Sequence, residues 1–328
     1  MEKIILSITA IAFIVISCNK KSVVKQPTYI GKQSMRAINL GLKIEEGIMV
    51  FSSIEALDVK VQELHSMTSE ELDLYNQSYS NFTSLYRQYQ ILDKQADADN
   101  GISADSTINA RLIADIPDNI FASIVNKDGL LIVADSIYYY SSEGYQVTDT
   151  INYSNNTNFD WGALAKKGFG QGNNGNPEWA SFPPISHFFH TYNNANSWPK
   201  HNGRDVRAIH TKWCSWFGVY GSAGAKIKLE KNSRFAGWIN IEHSSASNTT
   251  SSNFRYYRMF SGGGNIYWYW DYFTKSLSNN TSSKNVNEIV LTYKTSLIAG
   301  MLQHQVGNFI NTVSITRNGC TLTTTWNH

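Results

Sequence analysis

Histidines between residues 187 and 201 are the first candidates for chemistry. His187 and His190 form an H-x-x-H pair, and His201 follows. On a helical turn the two imidazoles of the pair would share a face and could bind a transition metal, with His201 as a third ligand. Pro183-Pro184 and the run Tyr192–Pro199 favour irregular structure instead, in which histidines cap or fill a loop. We therefore predict no metal site.

The sequence gives little support for a site of nucleophilic or acid–base catalysis. Cys214 and His210 are four residues apart, which on a strand places them on one face about 13 Å from each other, too far for a nucleophile and its base. The seven acidic residues after residue 150 are scattered, and no two of them have the setting of glycosidase carboxylates. The sequence contains no G-x-S-x-G, phosphate-loop or H-E-x-x-H motif. It favours a protein without catalytic residues or a cofactor.

The clearest signal is a cluster of aromatic and basic residues. Residues 255–275 contain seven Tyr and Trp side chains together with two arginines and Lys275. In a strand over Ile266–Phe273 both faces carry rings, so one face enters the core and the other needs a cover or a partner. An aromatic platform bordered by cations is suited to stacking on sugar rings while donating hydrogen bonds to hydroxyl, sulfate or carboxylate groups. The alternative buries both faces between sheets. The predicted ligand-binding residues are Trp268, Trp270, Tyr267, Tyr269, Arg255 and Arg258.

Two helices are expected in the first half of the chain. Capping boxes at Ser52–Glu55 and Thr68–Glu71 precede apolar stripes at helical spacing, Ile54–Leu64 and Leu72–Tyr89. The acidic stretch Asp93–Asp105 breaks this pattern and predicts a loop.

Alternating apolar and polar residues predict strands in the rest of the chain. Asn318-Gly319 is the signal for a type I′ hairpin, and Leu297–Ile310 is expected to include a short helical piece. The fold class is therefore α+β: an N-terminal helical pair with a small β-meander, followed by a C-terminal antiparallel β-sandwich. The expected strands cover Ile120–Val125, Leu130–Val133, Ile137–Tyr140, Ile209–Val219, Ala225–Leu229, Trp238–Glu242, Phe254–Phe260, Ile266–Phe273, Glu288–Lys294, Thr312–Arg317 and Cys320–Trp326.

Part of the first half resembles a known group of proteins. The segments Val50–Ser53, Met67–Glu71, Phe82–Leu85 and Phe121–Gly129 occur in an order similar to the front part of uncharacterised lipoproteins of Bacteroidetes. The resemblance is limited to roughly residues 50–150 and brings no catalytic or binding residue with it. It implies an exported protein anchored to the outer membrane.

The N-terminus indicates export and lipidation. The apolar run Ile4–Ile16 has thirteen residues, fewer than the roughly 20 that cross a bilayer as a helix, and is typical of a signal peptide. It leads into Val15–Cys18, which looks like a lipobox, so Cys18 is the expected lipidation site. We expect the mature chain in the outer membrane, lipid-anchored and either periplasmic or surface-exposed. Cys214 and Cys320 could then form one disulfide or remain two thiols.

Charge is unevenly divided along the chain. Residues 1–150 contain 12 basic and 19 acidic side chains, whereas residues 151–328 contain 16 basic and 7 acidic ones and all nine tryptophans. This shift suggests two modules with different partners. The expected division is a signal peptide (1–17), a tether (18–48), the helical pair with β-hairpins (49–150), an Asn/Gly/Pro-rich connector (151–186) and the basic aromatic β-domain (187–328).

Three functions compete at this point. The first is a non-catalytic envelope lipoprotein whose basic domain binds glycans, particularly anionic ones. The second is a scaffold component that docks another envelope protein through exposed aromatic residues. The third is a hydrolase with a metal at His187 and His190. Export makes nucleic acid an unsuitable partner.

Overall fold

The structure of the chain is a computed structural model. It describes residues 41–97, 116–141, 144–150, 164, 167, 181–233, 237–262, 265–284, 286–297, 302 and 304–327, without the side chains of 95–97, 182–183, 257–262 and 265–268. Leu40–His328 form one compact unit. The predicted signal peptide, the tether up to residue 40, Cys18 and most of the predicted connector lie outside the described residues.

The first part of the chain forms a mixed sheet with strand order β1-β2-β3-β4-β5. Neighbouring strands are antiparallel except for β2 and β3, which are parallel. Gln146 and the buried Tyr140 and Tyr145 lie on its last two strands. The strands are β1 (Leu42–Glu45), β2 (Ile48–Phe51), β3 (Leu130–Val133), β4 (Ser136–Ser141) and β5 (Gly144–Asp149).

Helices pack beside this sheet. Helix α1 (Ile54–His65) begins after its N-cap Ser53, whose hydroxyl accepts a hydrogen bond from Ala56 N. Helices α2 (Ser69–Gln77), α3 (Leu85–Asp97) and the short α4 (Asn119–Ala122) follow.

The second part of the chain forms two antiparallel sheets. The central sheet has the order β12-β8-β7-β6, with β9 also paired to β8, and the outer sheet has the order β11-β10-β13-β14. The strands are β6 (Phe182–Phe189), β7 (Val206–Phe217), β8 (Tyr220–Ser233), β9 (Gly237–Ile241), β10 (Ser245–Gly262), β11 (Asn265–Ser282), β12 (Val286–Thr295), β13 (His304–Arg317) and β14 (Cys320–Asn327).

The central sheet is covered on both faces. One face packs Trp213, Phe217 and Tyr220 into a core shared with the helices and the first sheet, where the ring of Phe121 stacks on Tyr220 with centroids 4.7 Å apart. The other face contributes Ile227 and other small or apolar residues to two cores shared with the outer sheet. Residues before and after the predicted connector therefore share one core.

The β-rich class with antiparallel sheets is confirmed. The capping box at Thr68–Glu71 is present, with both reciprocal hydrogen bonds. The Asn318-Gly319 turn also agrees with the prediction, because both residues have the positive φ angles, 51° and 77°, that a type I′ turn requires.

Several local predictions are wrong. Helix α1 is capped by Ser53 rather than by a box at Ser52. The stripe Leu72–Tyr89 is interrupted after Gln77, and α3 then runs on into the acidic stretch as far as Asp97.

Two further elements have the wrong type. Within Ile120–Val125 the structure has α4 because the carboxylate of Asp118 caps the backbone N–H groups of Ile120 and Phe121. From His304 onward the expected helical piece in Leu297–Ile310 is replaced by β13, whose pairing with β10 and β14 outweighs local helical spacing. Residues 298–301 and 303 lie outside the described residues.

Candidate functional site

A polar cavity of about 870 Å³ lies between the helices and the central sheet. Helices α2 and α3 provide one wall and strands β8, β9 and β12 another. Asn119, at the start of α4, also lines the cavity. Its polar lining includes His65, Asp73, Asp93, Lys226, Lys228, Glu230, Asn240, Lys284 and Glu288.

Glu288 is the central acidic group of the cavity. Its Oε1 accepts a hydrogen bond of 3.0 Å from the backbone N–H of Asn119. Its Oε2 is buried, and no described residue forms a hydrogen bond with it. Burial, followed by repulsion from Asp118, raises the pKa of Glu288 to about 8, although Lys226 acts in the opposite direction. Glu288 is therefore mainly protonated at neutral pH and can donate a hydrogen bond.

Asp118 continues a buried hydrogen-bonded chain behind Glu288. Its Oδ1 caps α4, and its Oδ2 accepts a hydrogen bond of 2.7 Å from the hydroxyl of Tyr220. That hydroxyl lies 3.2 Å from Nε2 of His65, a cavity-lining residue whose ring stacks on Tyr293. Burial, more than any neighbouring charge, lowers the pKa of His65. The chain fixes α4 against the central sheet and thereby positions Asn119.

Asp93 and Asn240 form a second polar pair in the lining of the cavity. The two carboxylate oxygens of Asp93 accept hydrogen bonds from the backbone N–H and the Nδ2 of Asn240, at 3.2 and 2.8 Å. Burial raises the pKa of Asp93 to about 6 in spite of these bonds. The Oδ1 of Asn240 is buried and lacks a hydrogen-bond partner in the described part of the chain.

Most of the charge around the cavity is paired within the protein. Lys228 Nζ lies 2.9 Å from Glu230 Oε1. Lys284 Nζ lies 3.1 Å from Glu70 and 3.6 Å from Asp73. The cavity therefore presents hydrogen-bonding groups rather than a field of one sign.

The predicted aromatic platform is only partly described. Tyr269 is exposed, whereas Trp270 is half-buried beneath the guanidinium of Arg255, which lies 4.4 Å from the ring centroid. Arg255 is itself buried and donates a hydrogen bond to Gln305. The side chains of Trp268, Tyr267 and Arg258 lie outside the described set, and the platform remains a prediction.

The histidine pair does not lie on a helical turn. His187 is in β6, where it pairs in register with His210 and stacks on Trp326 with ring centroids 3.6 Å apart. His190 follows the end of this strand. Among the residues that the structure describes, no group of three His, Cys, Asp or Glu side chains could hold a metal ion.

The two cysteines of the second half do not pair. Both are free thiols, so the disulfide that the sequence allowed is absent. Cys214 is buried between the central and outer sheets, whereas Cys320 packs at the margin of another core. Burial raises the pKa of Cys214, which leaves its thiol in the unreactive protonated form.

Sequence reasoning missed the cavity. Glu288 was only one of seven scattered acids, and Asp93 belonged to a predicted loop. One available signal was the alternation of Lys226, Lys228 and Glu230 with apolar neighbours on β8. This polar face borders the cavity beneath the helices.

Comparisons with known proteins add little. No protein-family model matches the chain. No curated protein matches it either. A solved structure of a DUF4848 family protein from Bacteroides thetaiotaomicron VPI-5482 is similar over 88% of this chain and 100% of that chain, with 12% sequence identity and a TM-score of 0.25. At this TM-score we draw no argument from the similarity.

Proposed function

We propose that the protein is a non-catalytic, envelope-anchored lipoprotein that binds a neutral, hydroxyl-rich ligand, a short glycan, in the polar cavity. The observation that carries this proposal is a pair of buried oxygens without partners among the described residues, Oε2 of Glu288 and Oδ1 of Asn240. Both residues line the same cavity.

A buried polar group without a hydrogen bond destabilises a protein by about 1–3 kcal/mol. A sugar hydroxyl can both donate and accept, so it can pair with the amide oxygen of Asn240 and with Glu288 in its protonated form once these side chains rotate to present the buried oxygens to the cavity. The volume of about 870 Å³ is within the range of about 300–1,000 Å³ usual for ligand sites. These features support a ligand with several hydroxyl groups.

Charge pairing supports a neutral ligand rather than the anionic one considered from the sequence. The lysines at 228 and 284 are engaged with carboxylates. An anionic ligand would have to displace those carboxylates or lie beside them. Although basic side chains outnumber acidic ones in the second half of the chain, these two lysines do not offer the cavity an unpaired positive charge.

The envelope location rests on the sequence. The leader Ile4–Ile16 followed by Cys18 supports lipidation and an outer-membrane anchor. None of the helices in the described ranges combines the length and apolar composition needed to cross a bilayer. In the same proposal, the helical pair and small sheet form a layer over a two-sheet β-sandwich, and the ligand binds where that layer meets the sandwich.

The test is binding of neutral oligosaccharides to the full chain on a glycan array, followed by calorimetry with the best neutral oligosaccharide. Asn240→Leu and Glu288→Leu should each weaken binding about tenfold, because each removes one ligand hydrogen bond. Thr325→Val is the matched control, since this exposed hydroxyl lies on β14, outside the cavity.

Binding should change little between low and moderate salt. Salt-sensitive binding confined to anionic glycans would contradict the proposal. An equal loss of affinity in the Thr325 variant would contradict it as well.

A further inference from the structure

An arginine is held between two aromatic rings on the face of the central sheet that borders the cavity. The Cζ atom of Arg207, on β7, lies 4.4 Å from the ring centroid of Phe188 on β6 and 4.0 Å from that of Trp238 on β9. Its Nε and Nη2 donate hydrogen bonds of 3.1 and 2.8 Å to Oε2 of Glu230. Because this carboxylate fixes the plane of the guanidinium, the stack holds the neighbouring rings in defined orientations.

Trp238 is the aromatic member of this stack that reaches the cavity. It is the one tryptophan among the described residues of the lining, and its side chain is only half-buried. The ring of His190 approaches it with centroids 5.9 Å apart and an interplanar angle of 66°, an edge contact rather than a second stack. Arg207 therefore covers one face of the indole, and part of the ring surface stays open toward the cavity.

The open ring surface lies beside the polar groups of the proposed ligand site. Trp238 and Asn240 are two residues apart on β9, so their side chains share a face of the strand and their Cα atoms are about 7 Å apart. The Nδ2 of Asn240 donates a hydrogen bond of 2.8 Å to Asp93, while its buried Oδ1 lacks a partner in the described residues. An apolar ring and a hydrogen-bonding amide are thus neighbours in one wall of the cavity.

We propose that Trp238 is the sugar-stacking platform of the cavity, and that the ligand contains a pyranose ring with an apolar face, such as that of glucose or galactose. This inference rests on the proposed function and specifies its ligand class. A pyranose of this kind has C–H groups on a ring face and hydroxyl groups around its rim. The C–H face packs on the negative face of the indole, and a rim hydroxyl reaches the amide of Asn240. An open-chain polyol has the hydroxyl groups without a rigid apolar face.

The charges around the stack support a neutral sugar. Glu230 binds the guanidinium of Arg207 through Oε2 at 2.8 Å and the ammonium of Lys228 through Oε1 at 2.9 Å. Arg207 therefore acts on the ligand through the ring that it positions, not through a charge offered to the cavity. Trp238 is the ligand-contact residue, and Arg207 is a positioning residue.

The test compares affinities of the full chain by calorimetry. The probes are the neutral oligosaccharides of the array that contain glucose or galactose, with sorbitol as the open-chain probe, which should bind at least about tenfold more weakly. Trp238→Leu should weaken oligosaccharide binding about tenfold or more, whereas Trp238→Phe keeps an aromatic ring and should stay within about threefold of the parent.

Trp326→Leu is the matched control. This tryptophan is also half-buried beneath a cation, since Nζ of Lys212 lies 4.0 Å from its ring centroid. It lies on β14 and does not line the cavity. Its replacement should therefore leave the affinity for the oligosaccharide unchanged, and melting temperatures show whether each variant is folded.

Intrinsic fluorescence separates a ligand contact from a structural role. The oligosaccharide should change the tryptophan emission of the parent and of Trp326→Leu, but not that of Trp238→Phe, although this variant still binds. An emission change that persists in Trp238→Phe would overturn the platform, as would sorbitol binding as tightly as the oligosaccharide.

The same titrations distinguish this proposal from the one on which it rests. Unchanged affinity in Trp238→Leu, together with weaker binding in Asn240→Leu, would overturn the platform and leave the proposed function standing. Absence of binding to every neutral oligosaccharide would overturn both.

Discussion

The backbone N–H of Asn119 donates a hydrogen bond of 3.0 Å to Oε1 of Glu288, a residue 169 positions later in the chain. This bond joins the first turn of a four-residue helix to the beginning of β12. It leaves the second oxygen of the same carboxyl group buried beside the cavity. One side chain thus connects the two parts of the chain and contributes to the proposed ligand site.

Glu288 should make the protein less stable as the pH rises above 6.5. The folded-state pKa is about 8, compared with an ordinary value of 4.5. The folded chain therefore retains a proton that the unfolded chain has released, and the free energy of unfolding falls by about 1.4 kcal/mol per pH unit until the pH reaches the folded-state pKa. Urea unfolding of the parent and of Glu288→Gln between pH 6.5 and 8 tests this, with exposed Glu45→Gln as control. A parent slope that persists in Glu288→Gln would refute the assignment.

Three buried histidines should destabilise the fold in acid. Burial lowers the pKa of His210, His243 and His304 to about 4 from 6.5, and each has one buried ring nitrogen without a partner in the described residues. Between pH 6.5 and 4 the unfolded chain binds more protons, so the free energy of unfolding falls as pH is lowered. In this range the three histidines outweigh the opposite contributions of Glu288 and Asp93, whose pKa values burial raises.

Thermal unfolding between pH 4 and 7 measures this effect. His243→Gln should remove one of the three histidine contributions and so make the pH dependence clearly shallower, whereas His190→Gln, at an exposed position, should leave it unchanged. Equal curves for the parent and His243→Gln would show that this ring does not titrate as the structure implies.

Gly224 should not tolerate a side chain. A Cβ atom at this position would overlap the carbonyl oxygen of Ile289 and lie 2.5 Å from Cζ2 of Trp213. Because neither the neighbouring strand nor the buried indole can move freely, Gly224→Ala should destabilise the fold by about 1–3 kcal/mol. Chemical denaturation is the measurement, and exposed Thr249→Ala should change stability by less than about 0.5 kcal/mol. A neutral Gly224→Ala variant would mean that the two strands pack less closely.

Cys18→Ala should release the protein from the membrane fraction. The lipid on Cys18 is the membrane attachment that the sequence predicts, so its removal should leave the protein without that anchor. Cell fractionation at high salt, with mass spectrometry of the mature N-terminus, tests this. An unmodified N-terminus in a membrane-bound parent would disprove lipidation.

Local signals predicted local structure well. The side chains of Thr68 and Glu71 each accept a hydrogen bond from the other residue's backbone N–H within one helical turn. Asn318 and Gly319 are residue types that adopt positive φ angles readily, and both do so here. Such features depend on a few neighbouring residues, so they can be recognised in the sequence. The segment after Asp118 was predicted incorrectly because apolar β-branched residues resemble a strand, whereas the preceding carboxylate caps a helix.

The candidate site could not be predicted in the same way. Glu288, Asn240 and Asp93 come from β12, β9 and α3, and only tertiary packing places them around one cavity. The raised pKa of Glu288 results from burial and from Asp118, neither of which is visible in the spacing of residues. The cluster of aromatic and basic residues at 255–275, by contrast, is visible from composition alone, and its role as a binding platform remains a prediction.

The two covered faces of the central sheet have a consequence for biosynthesis. Phe121 on the helical side cannot complete its packing until Phe217 and Tyr220 have been translated. A fragment that ends before β7 would expose apolar surface and should aggregate or bind chaperones. The nascent chain is thus expected to stay unfolded until late in synthesis, a state that suits passage through a secretion channel.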